Sequence, residues 1–278
     1  MIAKERSVPG GPLVMGILNV TPDSFSDGGR WDAPAAALDH AMAMLAAGAD
    51  ILDVGGESTR PGAAPVAEGA EVARVVPVIA AIRARADATI SIDTMKPAVA
   101  RAAFEAGAAV WNDVTALAHA PDSLATAAAL GGGVILMHMQ GAPRTMQDNP
   151  SYADVVAEVG AYLRARGEAA LHAGIARERI WIDPGIGFGK NVAHNLALIA
   201  RLGALRAAAG FKLAFGASRK RFIAHAAGDA PAQARLGGSL AAALLAAEAG
   251  ADIVRVHDVA ETVQALRIWR AAKQMSGD

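Results

Sequence analysis

Short β-branched apolar runs recur about every 30 to 40 residues along this chain, and alanine-rich helical stretches fill the intervals between them. A strand can rejoin its sheet in parallel only through a crossover long enough to hold a helix, so this rhythm restricts the chain to a parallel α/β architecture. The runs that read as strands are Leu13–Asn19, Asp50–Gly55, Thr89–Asp93, Ala109–Asn112, Val134–His138, Ile180–Asp183, Lys212–Gly216 and Asp252–His257. Eight strands close a barrel, and 278 residues match one such domain. The expected fold is therefore α/β: a single-domain (β/α)8 TIM barrel over residues 1–278 with a short N-terminal extension. Helices are expected over Ala35–Ala47, Ala67–Ala86, Pro97–Ala106, Asp122–Leu130, Tyr152–Ala173, Ala193–Ala208, Ala232–Ala249 and Val259–Ala272. Ala-Gly-Ala-Asp at 47–50 and 249–252, and Ala-Gly-Ala at 106–108, read as helix-to-strand turns, with glycine in the left-handed position that ends a helix.

The opposite ends of the strands differ in kind. Strand after strand finishes on a polar residue: Asn19, Asp53, Asp93, Asn112, His138, Asp183, Ser218, and the pair Arg255 and His257. A closed barrel gathers these ends on one face, which is where barrel enzymes hold their active sites. A lone Asp after a strand is more often a helix N-cap, and Asp122 between Pro121 and Ser123 reads that way. Asn112, Arg255 and His257 are not obvious caps, and their inclusion favours a functional cluster. The formal charge of −1, from 26 basic and 27 acidic residues, offers no footprint for nucleic acid or a membrane surface. No run of eighteen apolar residues appears, Met1–Gly10 has no secretory apolar segment, and the absence of cysteine rules out disulfides and thiolate metal sites. A cytoplasmic enzyme acting on small molecules is the expectation.

Five groups carry the chemistry: residues 15–29; 53–62; the strand ends 91–97, 111–113 and 181–190 together; 215–220; and 255–258, where cations meet the carboxylates across the barrel mouth. Residues 19–29 read Asn-Val-Thr-Pro-Asp-Ser-Phe-Ser-Asp-Gly-Gly, a polar loop suited to closing over an anion. Residues 55–62 read Gly-Gly-Glu-Ser-Thr-Arg-Pro-Gly, where Arg60 and Thr59 can face phosphate oxygens. Asp-Pro-Gly-Ile-Gly-Phe-Gly-Lys spans 183–190, turning a carboxylate inward at a strand end, and Ser-Arg-Lys spans 218–220. His138, in Met-His-Met, reads as a core or supporting histidine. Asp53 stays open between supporting Asn19 and purely structural bonding. Arg219 reads as a solvated neighbour of Lys220, and the other histidines share no metal-binding spacing.

Together these strings resemble the dihydropteroate synthase family over essentially the whole chain. Trp111, where the family usually has an aliphatic residue, is a departure expected to alter packing beneath Asn112. The resemblance implies condensation of (7,8-dihydropterin-6-yl)methyl diphosphate with 4-aminobenzoate, giving 7,8-dihydropteroate and diphosphate in folate biosynthesis. It implies a pterin site of Asp93, Asn112, Met137, Asp183, Phe188, Gly216 and Lys220, with Asp183 gripping the amino-pyrimidinone edge. Diphosphate would be held by Asn19, Thr59, Arg60, Arg255 and His257, and 4-aminobenzoate by Phe25, Thr59, Pro61, Phe188, Ser218 and Lys220. Asp93, Lys220, Asp27 and Arg60 are the residues implied in the chemistry, with Mg2+ held by Asn19 and Asp27. The family pattern further implies a homodimer packed through late barrel helices and competition by sulfonamides. A pterin-dependent corrinoid methyltransferase has no reason to carry the 19–29 loop or the Ser-Arg-Lys string. A silent pterin-binding paralogue has no reason to keep every site position.

Overall fold

The protein is described from a computed structural model covering residues 6–21, 33–58, 62–141 and 145–275. Eight strands form a closed parallel barrel in sequence order: β1 (Leu13–Asn19), β2 (Ile51–Gly55), β3 (Thr89–Asp93), β4 (Val110–Asp113), β5 (Gly133–Met137), β6 (Ile180–Asp183), β7 (Lys212–Phe215) and β8 (Ile253–Val256). The helices between and after them are α1 (Ala33–Ala46), α2 (Glu68–Arg85), α3 (Pro97–Glu105), α4 (Ser123–Leu130), α5 (Val155–His172), α6 (Val192–Ala200), α7 (Leu202–Ala209), α8 (Arg221–Ala227), α9 (Leu236–Glu248) and α10 (Val259–Met275). Each expected strand is present to within one residue at either end.

The two-residue period of a strand divides the core in two. Leu13, Met15, Ile51, Val110, Ile135, Trp181, Ala214 and Ile253 pack together inside the barrel. Alternate residues such as Leu18, Val54, Ile92, Trp111, Leu136, Ile182, Phe215 and Val254 join the larger core under the helices. Trp111 therefore does not lie beneath Asn112, as the sequence suggested. Neighbours on a strand face opposite ways, so its indole is wholly buried in the outer layer and donates to the Thr94 carbonyl at 2.7 Å. Trp111→Phe should orphan that carbonyl and cost roughly 2 kcal/mol by urea unfolding, with pterin binding unchanged. A change in pterin affinity would place Trp111 back under the site.

Two further expectations need correction. The helix read as Ala193–Ala208 breaks at Arg201 into α6 and α7, and the Arg201 guanidinium reaches Asp154 at 3.3 Å. Asp122 occupies the position before α4, but its carboxylate makes no cap bond and instead faces Arg101 and Thr126. The turn glycines behave as expected, with φ of 99° at Gly48 and 81° at Gly250. The aspartates that follow them do more than end a helix. Asp50 accepts the backbone N–H groups of Ser7 and Val14, and Asp252 accepts that of Leu213, so each stitches its strand to a neighbour at the base of the barrel. Among the described residues no helix is long and apolar enough to cross a membrane.

Candidate active site

Above the apolar plug, the inward positions of the strands turn polar. The register sets Asn19 beside Gly55, Gly55 beside Asp93, Asp93 beside Asn112, and Met137 beside Asp183. Asp53, one layer deeper, is fully buried. Its Oδ2 accepts from Asn112 Nδ2 at 3.1 Å and from Arg255 Nε at 2.5 Å. A second arm of the Arg255 fork reaches Asp93 Oδ2 at 2.6 Å. The alternatives left open for Asp53 thus resolve toward structural bonding: it orients Asn112 and Arg255 together. Burial works against the Arg255 charge, and the carboxylates of Asp53 and Asp93 overcome it, holding the guanidinium above its ordinary range.

Asp93 is a strongly perturbed carboxylate. Burial lifts its pKa to about 7, opposed by Arg255 and assisted by Asp53. Its Oδ1 is buried and accepts no hydrogen bond from the described residues. An acceptor left so costs about 1–3 kcal/mol, a penalty relieved when a ligand brings an N–H to it.

Asp183 ends β6 with its side chain inside the barrel. Its Oδ1 accepts the Gly185 backbone N–H at 2.7 Å, and burial raises its pKa, opposed first by Lys220. The turn beyond needs glycine. A Cβ on Gly185, whose φ is 67°, would stand 2.0 Å from the His138 carbonyl oxygen, and one on Gly189 would stand 2.4 Å from that of Gln140. Gly216 sits where a Cβ would touch both Asp183 Oδ2 and Arg255, at 3.7 and 3.6 Å, so its missing side chain keeps the space between them open. Lys220 crosses toward this turn. Its amine donates to the Ile186 carbonyl and lies 4.8 Å from the centroid of the half-buried Phe188 ring. Burial lowers its pKa to about 8, with Asp183 pulling the other way. Met137 is buried beside the same turn.

On the β8 side, Ser218 Oγ accepts the His257 backbone N–H at 3.2 Å and meets the ring Nδ1 at 3.0 Å. With the ring proton on Nε2, the hydroxyl can donate to Nδ1 while accepting the backbone N–H. The structure thus brings Asn19, Asp93, Asn112, Met137, Asp183, Phe188, Gly216, Ser218, Lys220, Arg255 and His257 to one rim. Phe25, Asp27, Thr59, Arg60 and Pro61 lie outside the described residues.

Two residues at this rim went unread in the sequence, and a third was misread. Lys190, almost fully buried, places its amine 2.9 Å from His138 Nδ1 and 2.9 Å from the Phe188 carbonyl oxygen. Burial drops its pKa to about 7, against the pull of Asp183. Burial, followed by the Lys190 charge, carries His138 down to about 3, so His138 is a neutral core partner, as expected. Lys96 donates to Glu57, to Glu71 at 2.6 Å and to the Val66 carbonyl at 2.6 Å, tying Glu57 of the Gly55–Gly62 string to the segment that follows it. The third is Arg219. It is no solvated bystander: it forms a two-pronged pair with Asp258. A lysine directly after a glycine run, and an arginine between two candidate contacts, were the available signals.

Residues 15–257 match the family described as pterin binding enzyme. The dihydropteroate synthase of Escherichia coli strain K12 is 51% identical over 260 residues, covering 94% of this chain and 91% of its own. Among solved structures, Xanthomonas albilineans dihydropteroate synthase with 4-aminobenzoic acid superposes with a TM-score of 0.89 at 49% identity, covering 95% of this chain and 93% of that one. Yersinia pestis dihydropteroate synthase in a sulfonamide drug complex gives a TM-score of 0.89 at 48% identity, covering 95% of each. With its barrel and nearly its whole length shared with these proteins, the chain belongs to the pterin binding enzyme family and, within it, to the dihydropteroate synthases.

Proposed function

We propose that this single-domain protein condenses (7,8-dihydropterin-6-yl)methyl diphosphate with 4-aminobenzoate to give 7,8-dihydropteroate and diphosphate. The observation that carries the reading is the convergence of Asp93, Asn112, Asp183, Lys220 and Arg255 at one end of the barrel in a chain half identical to known synthases. In this reading Asp183 takes the amino and ring N–H groups of the pterin edge. Asn112, held by Asp53, meets the neighbouring ring atoms, and Met137, Phe188 and the gap at Gly216 shape the slot. Lys220 and Asp93 face the reduced ring from two sides.

The bond between the exocyclic methylene and the diphosphate oxygen breaks with its electrons leaving on diphosphate. The amine lone pair of 4-aminobenzoate then forms the new C–N bond and sheds a proton. Positive charge developing on the pterin-methyl group favours the nearby Asp93 carboxylate and a water-poor pocket. Arg255 and His257, with Asn19, Thr59 and Arg60, would receive the diphosphate, while Ser218, Phe188, Lys220, Phe25, Thr59 and Pro61 would hold the benzoate.

Mg2+ fits this site only as a shared ion. Among the described residues no group of three or more His, Cys, Asp or Glu could hold a metal by itself, and Asn19 offers a single amide oxygen at the rim. That suits Mg2+, which takes one or two protein oxygens together with phosphate and water. Asn19 and Asp27 would hold it, and it would neutralise charge on the departing diphosphate. We also propose a cytoplasmic location, with which a chain free of cysteine is compatible, and a homodimer through the late helices, where Leu245 and Ile268 are more than half exposed.

Mixing the protein with pterin diphosphate, Mg2+ and 4-aminobenzoate should release diphosphate only when 4-aminobenzoate is present, with sulfonamides competing for its place. Binding without turnover would overturn the reading in favour of a silent paralogue. The two shifted groups also predict a pH profile. Asp93 is protonated below about 7 and Lys220 loses its proton above about 8, so kcat/KM should rise through the first value and fall through the second. A profile flat from about pH 6 to about pH 9 would remove both ionisations from the mechanism.

A further inference from the structure

Arg219 stands between two residues that face the site, yet it turns the other way. Its φ is 58°, left-handed backbone that is uncommon outside glycine. Such a conformation persists where the surroundings over-determine it, and here four contacts do so. The Arg219 N–H donates to Ser239 Oγ at 2.9 Å, and its carbonyl accepts from Arg235 Nη1 at 3.0 Å. Its Nε donates to Asp258 Oδ2 at 3.0 Å, and a second guanidinium N–H meets Asp258 Oδ1.

Asp258 directly follows His257, and Arg219 directly follows Ser218. Two cross-links therefore run side by side between the turn after β7 and the turn after β8: Ser218 to His257, and Arg219 to Asp258. Lys220, on the far side of Arg219, points instead toward Ile186 and Phe188. An isolated surface ion pair contributes little, but a planar fork closed on both carboxylate oxygens fixes direction as well as distance.

We propose that Arg219 and Asp258 form a positioning pair that sets Ser218 and Lys220 in register with His257, so that the benzoate-facing and diphosphate-facing groups hold one fixed geometry. The proposal rests on the function proposed above. Neither residue touches substrate in this scheme; they act through the side chains beside them.

The test is steady-state kinetics on Arg219→Met, Asp258→Asn, the double variant, and Arg219→Lys, which keeps the charge but cannot fork. Calorimetric affinity for the pterin diphosphate and circular dichroism accompany each. Both single variants should lose about thirtyfold in kcat/KM for 4-aminobenzoate, and the double variant should lose no more than the worse single. Arg219→Lys should still lose about tenfold, while pterin diphosphate affinity should fall less than kcat/KM throughout, because Lys220 and His257 lose their setting but the Asp183 and Asn112 contacts lie on other strands and remain. Additive losses in the double variant, an unimpaired Arg219→Lys, or pterin affinity falling in step with the kinetics would each overturn the pair. Should Arg219→Met fail to fold, Arg219→Lys and Asp258→Asn decide the matter by the same criteria. An unmodified protein that makes no dihydropteroate would refute the proposed function; an active one with unimpaired variants would refute the pair alone.

Discussion

Asp183→Ala is expected to weaken pterin binding by about a thousandfold while the barrel remains folded. Charge-assisted hydrogen bonds contribute about 1.5–3 kcal/mol each, and the pterin edge would lose two of them. The fold should tolerate the change, because the carboxylate is itself desolvated, as its raised pKa shows, and among the described residues its backbone partner is the Gly185 N–H. Asp183→Asn, which keeps the shape and the Gly185 bond, should fall between the two proteins. Calorimetry with the pterin substrate checks this, and an unchanged affinity for Asp183→Ala would remove it as the anchor.

Arg255→Met should damage both stability and turnover. It strips the countercharge from Asp53, which is fully buried, and from Asp93. Breaking a buried ion pair from one side costs about 3–5 kcal/mol. The loss should depend on pH with a definite sign. The folded pKa of Asp93 already lies above its unfolded value, so its contribution is most favourable at acid pH and is lost as pH rises through about 7. Without Arg255 that pKa rises further, and the deficit should therefore be larger at about pH 8 than at about pH 5. Urea unfolding at the two pH values measures it. A deficit under about 1 kcal/mol, or one that grows on acidification, would show that Arg255 does not carry the charge balance of the rim.

The strands were legible because short apolar runs, β-branched in every case but β7, recur between helix-forming stretches, and the alternation inherent in a strand then fixes the face of every side chain. The same alternation explains why Asn19, Asp93, Asn112, Asp183 and Arg255 could be placed at one mouth from sequence alone. It also explains the misplacement of Trp111: adjacency to Asn112 in sequence means the opposite face in the strand. Other features had no local signal. The break at Arg201 had only the nearby Gly203 as a local sign, and the seven residues of α8 are too few to show a period. The burial of Lys190 against His138, and the left-handed Arg219 that reaches Asp258, depend on contacts between residues 52 and 39 positions apart. Such contacts exist only once the barrel has closed.

A crystal structure with the pterin substrate bound tests the central claim most directly. The amino-pyrimidinone edge is expected within hydrogen-bonding distance of Asp183, the ring beside Asn112 and Lys220, and the phosphate end toward Arg255 and His257. A pterin seated away from this rim, or one with its phosphates directed at Asp183, would contradict it.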